Sequence, residues 1–270
     1  MLVYYSKSLH SPMYFFLSQL SISDIMLTTD ISPSMLNIVL HERTFISFSG
    51  CITQYYVFSL IEGFECFLLT VMSYDRYLAI CSPLHYTSIM KQTLYIKLVI
   101  ASWIFSCSMT SISTLGLCQL EFCGPNVIDH LFCDFNALVE LSCSDTSIVQ
   151  IEATLLCVPV LILPFLVIVI SYTYIVLTIL KISSFSGRLK SFSTCSSHLT
   201  VVFIFYGTLA SAYMIPKKRQ SQMINKIMSL LYTVFTPFVN PFIYSLRNKE
   251  IKDSLKMLLI NKRIFIQNLW

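Results

Sequence analysis

The stretch LVIASWIFSCSMTSISTLGLCQ, residues 98–119, contains no charged side chain. A helix of about 20 apolar residues spans the hydrocarbon core of a bilayer, so this run is long enough to cross one. Working outward from it, six apolar segments cover most of the chain: residues 12–39, 48–80, 94–117, 148–180, 192–215 and 223–246. Membrane strands need only about ten residues each and alternate in polarity; these segments do neither. Lipid offers the backbone no hydrogen-bond partner, so helices remain. The expected fold class is all-α, a transmembrane helix bundle.

Composition agrees. Hydrophobic residues make up 55% of the 270, charged residues 12%, and the mean hydropathy is +0.71, whereas soluble domains carry about 25% charged residues. A soluble enzyme is thereby disfavoured. The net charge of +4 is spread thinly and gives no basic patch for nucleic acid. No repeat or linker divides the chain, so residues 1–270 read as one domain.

Orientation follows from Lys and Arg, which favour the cytoplasmic side. The end of the chain carries Arg247, Lys249, Lys252, Lys256, Lys262 and Arg263. The connection 181–190 adds Lys181, Arg188 and Lys190, and Lys91 and Lys7 lie on the same side. Residues 118–149 have no Lys or Arg but contain Glu121, Asp129, Asp134, Glu140 and Asp145. That acidic loop is therefore expected outside and the C-terminus in the cytoplasm. Lys217, Lys218 and Arg219 disagree, falling in a connection this orientation makes external, and the larger basic tail outweighs them. Residues 1–5 read as the last turn of a further helix cut off upstream. Residues 247–270 read as a cytoplasmic tail with a short amphipathic helix. The chain opens without a cleavable signal peptide, and no Asn-X-Ser/Thr acceptor occurs.

Five segments then become specific: LHSPMYFFLSQLS at 9–21, MSYDRYLAIC at 72–81, Ser171–Tyr172, KSFSTCSSHL at 190–199 and PFVNPFIYSLRN at 237–248. In this order and at these separations the chain resembles the odorant receptors among rhodopsin-like G-protein-coupled receptors. The resemblance implies a bundle of the seven-helix receptor type, here with six complete spans and the end of the first. It implies a multi-pass protein of the plasma membrane, bound to lipid. It also implies a receptor for a small volatile odorant, working through an olfactory-type stimulatory G protein and cyclic AMP.

The same resemblance assigns roles. Asp75, Arg76 and Tyr77, with Tyr172, Lys190, His198, Asn240, Pro241 and Tyr244, are implied in activation and G-protein coupling. A snorkelling Arg76 and a plain packing kink at Asn240–Pro241 are the simpler readings. Asp24 and Glu65 are intramembrane carboxyls, costly in lipid unless paired, protonated or wet. The family implies a sodium ion between them near Asn240, and two carboxyls sharing hydrogen bonds without metal is the alternative. No organic cofactor is expected, and no nucleophile–base set accompanies the acids.

Ten cysteines, with Cys123, Cys133 and Cys143 clustered in the outer loop, suit an oxidising compartment. Four cysteines permit three pairings; the resemblance implies Cys51 with Cys133 and Cys123 with Cys143. His130 among them leaves a metal site as the less favoured reading.

Pockets in helix bundles lie between helices, apolar with a few placed polar groups. By analogy with the family the pocket is expected from Phe58, Ser59 and Glu62 on one span, Leu156, Cys157 and Val160 on another, and Tyr206, Leu209, Ala210 and Tyr213 on a third. Tyr206 stands where most rhodopsin-like receptors have a tryptophan. Phe58, Glu62 and Glu65 share one helix face. Glu62 either favours amine or hydrogen-bond-donating odorants, or is a buried acid bonded to a neighbouring helix. A transporter would show repeated halves or a glycine-broken pore helix, and neither is visible. A receptor product that does not signal is the remaining alternative.

Overall fold

The computed structural model describes residues 11–41, 44–214 and 222–247. The expected remnant of a first helix at 1–5, the basic residues 217–219 and the tail beyond 247 lie outside them. The helices are α1 (Pro12–His41), α2 (Phe48–Cys81), α3 (Pro83–Ile89), α4 (Gln92–Cys118), α5 (Phe135–Leu141), α6 (Ser147–Lys181), α7 (Phe185–Met214), α8 (Gln222–Leu230) and α9 (Thr236–Arg247). Each of the six apolar segments falls on helix, the last being divided between α8, a π turn at Leu231–Phe235 and α9. The short helices α3 and α5 come from connections that the apolar pattern left blank.

Among the described residues, α2, α4 and α6 are each long and apolar enough to cross a bilayer, and α7 becomes a fourth if its bent halves are taken as one span. Helix α1 carries Asp24, Asp30 and several hydroxyl side chains, which lower its hydropathy. The most apolar window of α6 has a mean hydropathy of 2.9, yet only 11% of it is buried within the protein. Phe165, Leu166, Val169 and Ile170 face outward. Such a surface suits lipid and not water.

Helix α2 is the axis of the bundle, packed chiefly against α1, α4 and α6. Ser47 caps its start by accepting a hydrogen bond from the Gly50 N–H at 3.1 Å, satisfying one of the free donors of a first turn. Phe64, Leu68, Leu69 and Met72 are fully buried, and with Phe16, Ile168 and Ile175 they form the main core. Phe64 stacks on Trp103 of α4 at 3.9 Å between ring centres.

Prolines shape two of the helices. The π turns Val158–Ile162 and Leu231–Phe235 each end two residues before a proline, Pro164 and Pro237. Proline has no N–H to give the carbonyl four residues back. The preceding residue instead reaches five back: Leu163 N–H bonds the Val158 carbonyl, and Thr236 N–H bonds that of Leu231. The threonine hydroxyl adds a second bond to Leu231 at 3.1 Å.

Two disulfides fix the acidic loop between α4 and α6. Cys51 is bonded to Cys133, tying the loop to the start of α2, and Cys123 is bonded to Cys143. Gln54 works beside them. Its amide nitrogen donates to the Asp30 carbonyl and the Ser34 hydroxyl, and its oxygen accepts from the Cys133 N–H at 3.0 Å.

Helices α2 and α4 meet closely at Gly63. A Cβ there would stand 2.6 Å from the Ser106 Oγ, which is anchored by a 2.7 Å bond to the Leu60 carbonyl. Replacing Gly63 with Ala is expected to cost about 1–3 kcal/mol through overpacking, read as a lower unfolding temperature in detergent. Adding Ser106→Ala should restore part of the loss, and additive losses would show that the close approach is not the cause.

Candidate functional site

A cavity of about 590 Å³ lies toward the disulfide-bonded end of the bundle, between α2, α4 and α6, with α5 at its mouth and Leu209 of α7 on one side. Of the residues expected there, Phe58, Ser59, Glu62, Leu156, Cys157, Val160 and Leu209 line it. Ala210, one step round the helix from Leu209, is exposed and turned elsewhere. Tyr206 stands one layer back: its ring packs on Phe165 at 4.9 Å, and its hydroxyl lies beside the thiol of Cys66, which lines the wall. The Tyr213 side chain lies outside the described residues.

Several lining residues had no signal in the apolar pattern. Met109, Thr110 and Ser113 come from α4, and Asp134, Asn136 and Glu140 from the loop and α5. Thr110 and Ser113 are marked in sequence only as hydroxyls on a membrane span, which are common, and Asp134 and Glu140 only as members of the acidic loop. The Tyr55 hydroxyl shares a 2.7 Å hydrogen bond with Ser113 across the α2–α4 wall. Phe58 packs against Phe132 and Tyr232, closing the wall toward the π turn.

Below the cavity the bundle closes around acids. Glu65, 2% exposed, accepts a hydrogen bond from the Ser23 hydroxyl at 2.8 Å. Asp24, 5% exposed, accepts from the Asn240 amide at 3.1 Å. Glu65 therefore shares a helix face with Phe58 and Glu62 but is enclosed by α1. Among the described residues no group of three or more His, Cys, Asp or Glu side chains is arranged to hold a metal ion. Two carboxyls and the Ser23 hydroxyl are hard oxygen donors, a set that fits an alkali cation better than a transition metal.

At the opposite end of α2, Asp75 is fully buried and ion-paired to Arg76, whose Nε also donates to it at 2.9 Å. The Tyr86 hydroxyl of α3 donates to the other carboxylate oxygen at 2.8 Å. That contact, from a connection with no apolar signal, was not legible in sequence; burial and the Asp75 charge push the Tyr86 phenol up from its usual value. Tyr172 of α6 and the fully buried His198 of α7 share a 2.6 Å hydrogen bond. Tyr77 packs edge-on against Tyr174. Asn240 joins the Asp24 pair, and Pro241 lies within α9. The Lys190 and Tyr244 side chains lie outside the described residues.

The outer loop is also held to α8. Lys226 pairs with Asp129 at 2.5 Å, and His130 bonds the Ser229 hydroxyl at 3.0 Å and the Phe132 carbonyl at 3.2 Å. With the neighbouring cysteines in disulfides, His130 serves as a hydrogen-bonding residue here.

Two of these tyrosines, Tyr172 and Tyr86, bond buried polar groups and can be compared by substitution. Replacing Tyr172 with Phe takes the partner from Nδ1 of a buried imidazole, which is expected to cost about 1–3 kcal/mol. Replacing Tyr86 with Phe removes a bond to the Asp75 carboxylate, which keeps its Arg76 contacts; bonds to a charged group contribute about 1.5–3 kcal/mol. Thermal unfolding in detergent checks both losses, and a variant as stable as the wild type would show that its bond contributes nothing.

A family model described as "Olfactory receptor" matches residues 1–262. Olfactory receptor 5P60 of Mus musculus is 47% identical over 268 residues, covering 99% of this chain and 83% of the mouse protein. Olfactory receptor 1J1 of Homo sapiens is 45% identical over 259 residues, 96% of this chain and 80% of the human one. The crystal structure of squid rhodopsin superposes with a TM-score of 0.77 at 15% identity, over 95% of this chain and 77% of that one, a likeness of fold. The chain belongs to the olfactory receptor family, multi-pass membrane proteins of the rhodopsin-like class that are receptors and not enzymes.

Proposed function

We propose that this chain binds a small volatile odorant in the cavity beneath the disulfide-bonded loop and activates an olfactory-type stimulatory G protein, raising cyclic AMP. One observation carries the reading: a single helix, α2, contributes Phe58, Ser59 and Glu62 to the cavity and Asp75 and Arg76 to the opposite end. From Glu62 to Arg76 is four helical turns, about 20 Å, so ligand and G protein would meet the same rod at its two ends. The C-terminus then faces the cytoplasm of a plasma-membrane receptor.

In the resting arrangement Asp75 restrains Arg76, and Tyr172 holds α7 through His198. Ligand binding releases α7 at its inner end and frees Arg76 to meet the G protein, with Tyr77, Lys190 and Tyr244 contributing to the opened face. The bend at Asn240–Pro241 lets α9 follow. Asp24 and Glu65, with Ser23 and Asn240 beside them, would hold a sodium ion that neutralises charge in the closed bundle.

Expression in cells with an odorant panel and a cyclic AMP readout tests the proposal. Arg76→Ala should abolish the response while leaving surface delivery and ligand-induced stabilisation intact. A wild-type chain that reaches the surface and answers no odorant would support the non-signalling alternative. For the ion, replacing potassium with sodium should raise the unfolding temperature of the wild type and leave Asp24→Asn unmoved. An equal sodium effect on both would remove the ion from the mechanism.

A further inference from the structure

We propose that the ligand is a protonated organic amine whose ammonium group pairs with Glu62, an assignment that rests on the cavity being the ligand site. Glu62 lines the cavity, and its Oε2 is buried with no hydrogen-bond partner among the described residues. A buried acceptor left unpaired is costly, which marks the place where a donor is missing. Sequence alone left open a bond from Glu62 to a neighbouring helix, and no such bond reaches Oε2.

The sign of the wall points the same way. Asp134 and Glu140 also line the cavity, and among its lining residues there is no Lys, Arg or His. An anionic ligand would find no cationic side chain among these lining residues. A neutral alcohol or aldehyde could touch one Glu62 oxygen but would bring no charge to this acidic surface. An ammonium group supplies both charge and three donors. The remaining wall, including Phe58, Val160 and Leu209, suits a hydrocarbon body. The geometry therefore describes an amphiphile: cationic head inward on Glu62, apolar body between α2, α6 and α7.

The test uses the full chain, purified in detergent and also expressed in cells. The probes are butylamine, hexylamine, octylamine and phenethylamine, each against the alcohol of the same skeleton. Thermal stabilisation reports binding independently of signalling. Amines should stabilise the wild type more strongly than their alcohols. Glu62→Gln should weaken the apparent amine affinity about tenfold or more, the loss of one charge-assisted contact, and Glu62→Asp should keep part of it. If Glu62→Gln fails to fold, the amine–alcohol comparison on the wild type decides alone. Alcohols matching amines, no shift from any amine, or undiminished amine binding by folded Glu62→Gln protein would each overturn the assignment. Amine stabilisation without cyclic AMP would uphold it and count against the receptor reading. Cyclic AMP evoked by the alcohols alone would do the reverse.

Discussion

A polar group inside a membrane must find its partner within the protein, because the surrounding lipid supplies none. In this chain that constraint gathers the polar chemistry along one helix. Gln54, Glu62, Glu65 and Asp75 succeed one another down α2, and three of them have their partners on other elements. Gln54 reaches α1 and the Cys133 backbone, Glu65 takes the Ser23 hydroxyl, and Asp75 takes Tyr86. Each bond pins a neighbouring element to α2 at a set depth. The apolar contacts around Phe64 and Leu68 fill the space between these pins and set no depth by themselves. Helix α6 shows the other side of the same rule: away from its contact with α2 it presents a broad apolar face suited to lipid.

Backbone chemistry sets the second constraint. Pro164 and Pro237 leave carbonyls that an ordinary helix could not satisfy, and in each case the chain widens into a π turn before the proline. A π turn adds a residue to one turn and so rotates everything beyond it. Val160, inside the first of these turns, lines the cavity, as do Leu156 and Cys157 just before it. The second turn carries Tyr232, which packs on Phe58. Both distortions thus sit against the cavity wall, where π turns are commonly found at functional sites.

What the sequence made legible follows from these two constraints. The long helices were readable because long uncharged runs have few other solutions, while short motifs singled out the residues paired at the far end of α2 only through a family resemblance. The connections were not. Helices α3 and α5 are seven residues each, too short for a periodic signal, and Tyr86, Asp134 and Glu140 were hidden with them. Helical spacing gave the direction of a side chain but not its depth. Tyr206 and Leu209 share a face, yet Leu209 reaches the cavity while Tyr206 stops behind Cys66. The α4 contribution was illegible for another reason: it depends on how near α4 comes to α2, which Gly63 and Ser106 decide jointly.

The packing also bears on which helix can transmit a signal. Helix α2 is gripped by α1, α4 and α6, so moving it would break three interfaces at once. Among the described residues, α7 touches α2 and α6 far less than those two touch each other. It is held toward one end by the Tyr172–His198 bond, and toward the other it meets the cavity through Leu209 and the Cys66 thiol through Tyr206. Turning a two-state population from 1:99 to 99:1 takes about 5.5 kcal/mol of differential affinity, whereas one hydrogen bond contributes about 0.5–1.5 kcal/mol net. No single contact in the cavity reaches that figure. On the proposed reading a ligand would supply it only by acting on several at once, and Leu209, Cys66 and Glu62 are the lining groups placed to act together on α7 and on the acids beneath the cavity.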